Sequence, residues 1–256
     1  MSKPTSLHPA SRGKAVSIHL GITLLIAGAA ALLVFGIWYP YPYRSISGGL
    51  ELFGLVVGVD LGVGPMLTAV VFNPAKSWDH LKRDLFVIAA LQLCFLAYGV
   101  HTVFVARPVY MVHEVDRFRV VSAADLDPED LALAPEPYKR LPLFGPELIG
   151  TRLSEPGPEQ LKSLMLAMEG KDLSRRPSHY RDYRLARSDV LSRARPVSAL
   201  FEKYPDRIAE LRVALSSTGR EEGKLRYLPL VARQQWVAFV DSETAEILGY
   251  GAFDGF

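Results

Sequence analysis

Cysteine is almost missing from this chain. Cys94 is the single one in 256 residues, so no intramolecular disulfide can form and cysteine usage leaves the redox compartment open. A strong charge of either sign is missing too. The formal net charge is +2, and no basic block of the kind that makes a nucleic-acid patch occurs, which argues against a nucleic-acid partner. There are no internal repeats and no low-complexity tracts. The six histidines include no HxxxH pair, and with a single Cys a zinc site has little support. No serine sits in a nucleophile elbow. Gly62-Val63-Gly64 lacks the third glycine and the preceding strand of a dinucleotide loop. No catalytic, cofactor-binding or metal residues are therefore expected.

Apolar sequence is what the chain has in abundance. Hydrophobic residues make up 49%, and three long runs fall before Ala106, at about residues 16–39, 48–72 and 85–106. Each is long enough to cross a bilayer, which takes about 20 residues. A signal peptide is the competing reading of the first run, but signal h-regions span roughly 7–15 residues. This run is longer, and it ends in GIWYPYPY, not in small residues. Trp38, Tyr39, Tyr41 and Tyr43 form the aromatic cluster expected at a membrane–water boundary.

Loop charges set the expected orientation. Residues 1–15 carry Lys3, Arg12 and Lys14; the first loop carries Arg44; the second carries Lys76, Lys82 and Arg83. Short basic loops stay in the cytoplasm. The tail and second loop then lie inside, and residues 107–256 lie outside, in the periplasm of a bacterium with two membranes. The expected fold is a membrane protein: a three-helix transmembrane N-terminal region followed by a small α+β periplasmic domain.

The middle run, Gly48 to Phe72, holds the most informative residues. Gly54, Gly58 and Gly62 recur one helical turn apart, a stripe of small residues that lets another helix approach closely. Asp60 sits near the middle of the run and points away from the centre of that stripe. A charge at that depth costs several kcal/mol, so intramembrane acids face protein or water. Pro65 predicts a kink. Gln92 and His101 are polar residues in the third run. Three readings of Asp60 stand: contact with a partner helix, internal satisfaction by Gln92 or His101, or proton chemistry. The glycine stripe faces either this chain's own helices or a foreign one.

Beyond Pro108, alternation predicts two strands, Val109–Val115 and Arg117–Val121, meeting at Asp116. A proline-rich stretch follows from Asp127 to Pro158, expected as loop with a turn or two of helix. Apolar residues at 161, 164, 165 and 168 predict a helix over Gln160–Gly170. Further helices are predicted over Asp182–Ala194, Pro196–Tyr204 and Asp206–Ser216, then three strands forming a meander to the end. The arginines between Arg175 and Arg195 read as a solvated face or as a grip for an acidic partner.

Several stretches together carry a family resemblance. HLGITLLI with a closing WYP, then VDLGVGPMLTAVVFNPAK, and LQLCFLAYGVHTVFVARPVYMVHEVDRFRVV resemble the type IV pilin accessory protein family, the TfpX/TfpZ type. LPLFGP at Leu141–Pro146 and QQWVAFVDSETAEILGYG near the end are similar as well. The resemblance implies an inner-membrane protein that works with a particular type IV major pilin subunit and promotes its stability or assembly. It implies no enzymatic activity and no cofactor. Gly54, Gly58, Asp60, Gly62, Pro65, Gln92 and His101 are the candidate helix-packing and partner residues. A membrane-anchored periplasmic ligand-sensing protein would share this topology, but the cytoplasmic parts are too short for an output domain.

Overall fold

A computed structural model describes residues 12–73 and 76–256 of the chain. Residues 1–11 of the expected cytoplasmic tail lie outside the described residues. Two compact units emerge: a helical unit, running to Gly36 and again over Gly49–Phe104, and a sheet unit made of Ile37–Gly48 and Val105–Phe256.

The helices in order are α1 (Arg12–Leu33), continued by a π-helical turn at Val34–Trp38, then α2 (Tyr43–Ile46), α3 (Gly49–Val71) and α4 (Trp78–Val105). Three apolar helices, Gly13–Trp38, Gly49–Val71 and Trp78–Val105, are long and apolar enough to cross a membrane. In hydrocarbon a backbone must satisfy its own polar groups, and a continuous helix does so. Phe35 meets Phe53 edge-on, with ring centroids 5.2 Å apart. α3 runs through Pro65 without a break.

α4 begins at Trp78, earlier than the apolar run that predicts it. The segment WDHLKRD is charged but contains no helix breaker, and charge alone does not stop a helix. Lys76 and Asp84 pair at 2.8 Å across its first turns.

The sheet unit holds one mixed sheet. Its strands are β1 (Pro108–Glu114), β2 (Arg117–Ser122), β3 (Glu147–Thr151), β4 (Tyr180–Asp182), β5 (Arg195–Pro196), β6 (Leu225–Val231), β7 (Gln235–Asp241) and β8 (Ile247–Gly251). The order is β4-β3-β1-β2-β6-β7-β8, with β5 beside β6. The β1–β2 hairpin and the β6–β7–β8 meander form where alternation places them. They are not separate: β2 and β6 pair in parallel through Phe118 and Leu230.

The proline-rich stretch carries the short helix expected of it and departs from expectation in one element, a strand. It holds α5 (Pro128–Ala132) and β3, which lies parallel to β1 with Tyr110 opposite Glu147. A five-residue strand such as ELIGT is defined by its distant partner, not by its own pattern. The helices α6 (Pro158–Met168), α7 (Arg187–Arg193), α8 (Ser198–Lys203) and α9 (Ile208–Ser216) fall near their predicted positions. The span expected as helix over 182–194 opens instead with the end of β4 and a 3-10 turn at Tyr183–Ala186.

The segment Ile37–Gly48 contains the loop expected over Pro40–Ser47 and the ends of the two apolar runs beside it. It is built into the sheet unit. Tyr43 and Ile46 join the core formed by Met111, Phe118, Leu228, Leu230 and Ala238. The Ile46 carbonyl accepts the N–H groups of Arg233 and Gln234 at 3.1 and 3.4 Å, at the turn between β6 and β7. Burial, with Tyr250 close by, holds the Tyr43 pKa well above its usual value. Gly48 closes the segment at φ +73, in the left-handed region, where a Cβ would also strike the Arg233 side chain. The sheet unit is therefore joined to the helical unit at three chain crossings, after Gly36, Gly48 and Phe104.

Ile46 is fully buried in this core. Ile46→Ala should cost about 2–5 kcal/mol, the usual range for such a truncation. Limited proteolysis of the full-length protein in detergent should show β6 and β7 cut at lower temperature or lower urea. Ile18→Ala, at an exposed position of α1, should leave that cleavage profile unchanged. Equal profiles for both variants would contradict the role given to Ile37–Gly48.

Candidate functional site

The helical unit encloses a chain of polar side chains. His19 of α1 bonds through Nε2 to Gln92 Oε1 of α4 at 2.5 Å. Its Nδ1 shares a proton with the Thr68 hydroxyl of α3 at 2.6 Å. The Gln92 amide nitrogen donates to the Asp60 backbone carbonyl at 3.2 Å. One polar group from each helix thus fixes the other two. Hydrogen bonds between apolar helices are worth about 0.6–2 kcal/mol each when those helices lie in a membrane.

Glycines decide how closely the helices approach. A Cβ at Gly64 would fall on the Gln92 amide, and one at Gly99 would fall within the Val56 side chain. These two glycines let α4 lie against α3. Gly54, Gly58 and Gly62 behave differently: nothing lies within 4 Å of a Cβ built at any of them. The stripe that the sequence marks as a helix-packing face therefore packs on nothing among the described residues.

Asp60 is 6% exposed and lines an apolar groove of about 490 Å³ between α1, α3 and α4. Ile22 and Ile26 form one wall, Leu93 and Leu96 the other, and Asp60 and Thr68 the polar part of the floor. Gln92 reaches the Asp60 main chain and not its carboxylate. Among the described residues the carboxylate has no hydrogen bond or ion pair. Pro65 is buried inside α3. His101 is exposed on α4 and takes no part in this cluster. It lies nine residues from Gln92, about 13 Å along the axis.

His19 and Thr68 are the members that sequence reasoning missed. Asp60, Gly64 and Thr68 are spaced by four, which puts them on one face of α3. That spacing, together with an isolated histidine in the first apolar run, was the available signal.

The sheet unit offers a second surface. No residue of α6 is buried, and Leu161, Leu164, Met165 and Met168 of its apolar stripe are all exposed. Beside α6 lies a groove of about 520 Å³ lined partly by Arg117, Arg119, Asp172, Ser154 and Ser163. Its charges are largely matched: Arg119 bonds Glu114 at 3.1 Å and Asp172 at 2.9 Å. Behind it His179 is buried, with Ser154, Ser178 and Glu159 around it. Burial, then the Arg176 and Arg152 charges, push its pKa down to about 4. The arginines between 175 and 195 are largely engaged internally, as Arg175–Asp125, Arg181–Asp189 and Arg184–Asp182 show. Among the described residues no group of three or more His, Cys, Asp or Glu is placed to hold a metal ion.

Comparison with known proteins supplies the family. Residues 8–48 match the family model described as "Fimbrial assembly protein FimB". Over 231 residues, 89% of this chain and 90% of the relative, the sequence is 30% identical to "Fimbrial assembly protein, serogroup I" of Dichelobacter nodosus. The chain belongs to the fimbrial assembly protein family. The serogroup E1 protein of the same organism matches with the same identity and coverage. The protein of serogroups C1 and C2 is 37% identical over 121 residues, 47% of this chain and 92% of that relative. These matches bear out the resemblance to the type IV pilin accessory family. The family-model match takes in both α1 and Ile37–Gly48, the segment built into the sheet unit. No solved structure matches the chain significantly.

The two kinds of glycine should separate in a stability measurement. Gly99→Ala must push α4 off Val56, at a cost of about 1–3 kcal/mol for overpacking. The detergent-purified protein should then melt at lower temperature. Gly58→Ala meets open space and replaces a poor helix former, so the melt should hold or rise slightly. A drop for Gly58→Ala as large as that for Gly99→Ala would contradict the open face.

Proposed function

We propose that this protein acts in pilus assembly as an inner-membrane accessory protein that binds a type IV pilin subunit and raises the amount available for assembly. The carrying observation is the open glycine face of α3, where Gly54, Gly58 and Gly62 have no partner among the described residues. The names of its relatives, fimbrial assembly proteins, support the same reading.

In this proposal the N-terminus is cytoplasmic, the three apolar helices cross the inner membrane and the sheet unit is periplasmic. The distribution of Lys and Arg among the loops supports that orientation. A pilin subunit waiting in the membrane has a long apolar helix and a periplasmic head. Glycine faces suit the first, because small residues allow backbones to approach and gain van der Waals contact that lipid does not supply. The sheet unit suits the second. Its exposed α6 stripe of Leu161, Leu164, Met165 and Met168 is a large apolar surface of the kind that marks partner contacts. Differences in contact quality there would tie one accessory protein to one pilin.

The glycine face is tested by co-purification. In mild detergent the wild-type protein should recover the pilin encoded by the same strain. Gly58→Leu with Gly62→Leu should lower the recovered pilin roughly fivefold or more, the equivalent of about 1 kcal/mol. The melt of the accessory protein itself should be preserved. Undiminished pilin recovery by the double variant would remove the glycine face from the mechanism.

A further inference from the structure

We propose that the groove between α1, α3 and α4 receives a partner's transmembrane helix that presents a hydrogen-bond donor to the Asp60 carboxylate. The proposal rests on the reading that the partner is a pilin subunit, and it assigns the second face of α3.

The groove is a different side of α3 from the glycine stripe. Asp60, Gly64 and Thr68 face inward on one line, while Gly58 and Gly62 face open space. His19, Thr68 and Gln92 satisfy one another around the groove. Gln92 spends its amide on the Asp60 backbone, so the carboxylate is left over although Asp60 is more than nine-tenths buried. An acid in apolar surroundings without a donor is costly, and a donor that arrives with a partner removes that cost.

The depth of the acid narrows the occupant. Asp60 stands eleven residues from each end of α3 (Gly49–Val71). At 1.5 Å per residue that is about 16 Å, half the thickness of a bilayer core. A lipid headgroup does not reach that depth, and an acyl chain carries no donor. A protein helix does: Ser, Thr, Asn, Gln or a cationic side chain projects a donor from an apolar rod. The volume of about 490 Å³ has room for a few large side chains of such a helix between Ile22 and Leu93.

The test is site-specific photo-crosslinking in fimbriate cells with benzoylphenylalanine at Leu93, which lines the groove, or at Phe86, an exposed position of α4 that does not. Leu93 should give a pilin adduct, identified by mass spectrometry, and Phe86 at most a tenth of it. Asp60→Leu should reduce the Leu93 adduct at least tenfold. Asp60→Asn, which keeps an acceptor oxygen, should retain at least half. Because the carboxylate has no partner among the described residues, Asp60→Leu should leave the melt of the full protein unchanged or raise it, which separates lost recognition from lost folding. An undiminished adduct in Asp60→Leu, or an equal one from Phe86, overturns the groove. Pilin that co-purifies without any Leu93 adduct also overturns the groove while leaving the pilin-binding reading intact. An Asp60-dependent adduct with another membrane protein supports the groove and overturns pilin as the partner.

Discussion

A carboxylate inside an apolar bundle must find a donor, lose its proton-free form or meet water, and each option constrains what surrounds it. The helical unit shows this at Asp60. Its neighbours His19, Thr68 and Gln92 close a hydrogen-bonded chain across three helices. That chain ends on the Asp60 backbone, not on its side chain. Gly64 permits the approach of Gln92, and Gly99 permits the approach of α4 at Val56. The internal packing is thus complete without the acid and without the Gly54–Gly58–Gly62 stripe. Asp60 faces inward onto the groove between the helices, and the stripe faces open space.

The sheet unit obeys a different constraint. Its core is completed by a segment that precedes it in sequence by some sixty residues. Ile46 shares a buried core with residues of β1, β2, β6 and β7, and its carbonyl accepts from the β6–β7 turn. The core of the unit therefore includes residues that lie between the first two long apolar helices. A partner bound to one unit acts on a chain that passes between the units three times, after Gly36, Gly48 and Phe104.

Much of this was legible in the sequence. Apolar runs mark the three long helices because bilayer-length segments need no tertiary context to be recognised. The β1–β2 hairpin and the terminal meander show in alternation, because their partners are adjacent in sequence. β3 was not legible: ELIGT has five residues, and its identity as a strand depends on β1, far away along the chain. α6 was legible as a helix, but its apolar stripe faces outward and not into the core. In the candidate site, Asp60, Gln92 and the glycine stripe stood out by residue type. The pairing of His19 with Gln92 and Thr68 did not, since it depends on how three helices turn toward one another. Periodicity also does not distinguish a glycine that admits a neighbour, such as Gly64, from one that leaves a face open, such as Gly58.

The central claim is that this chain keeps a membrane-held pilin subunit usable until it is assembled. Pulse-labelling of the pilin in cells with and without the gene tests it most directly, with pilin transcription followed in parallel. The account predicts a several-fold shorter lifetime of the membrane pilin pool and fewer surface fibres in the deletion strain, at unchanged transcription. An unchanged pilin lifetime together with normal piliation would contradict it.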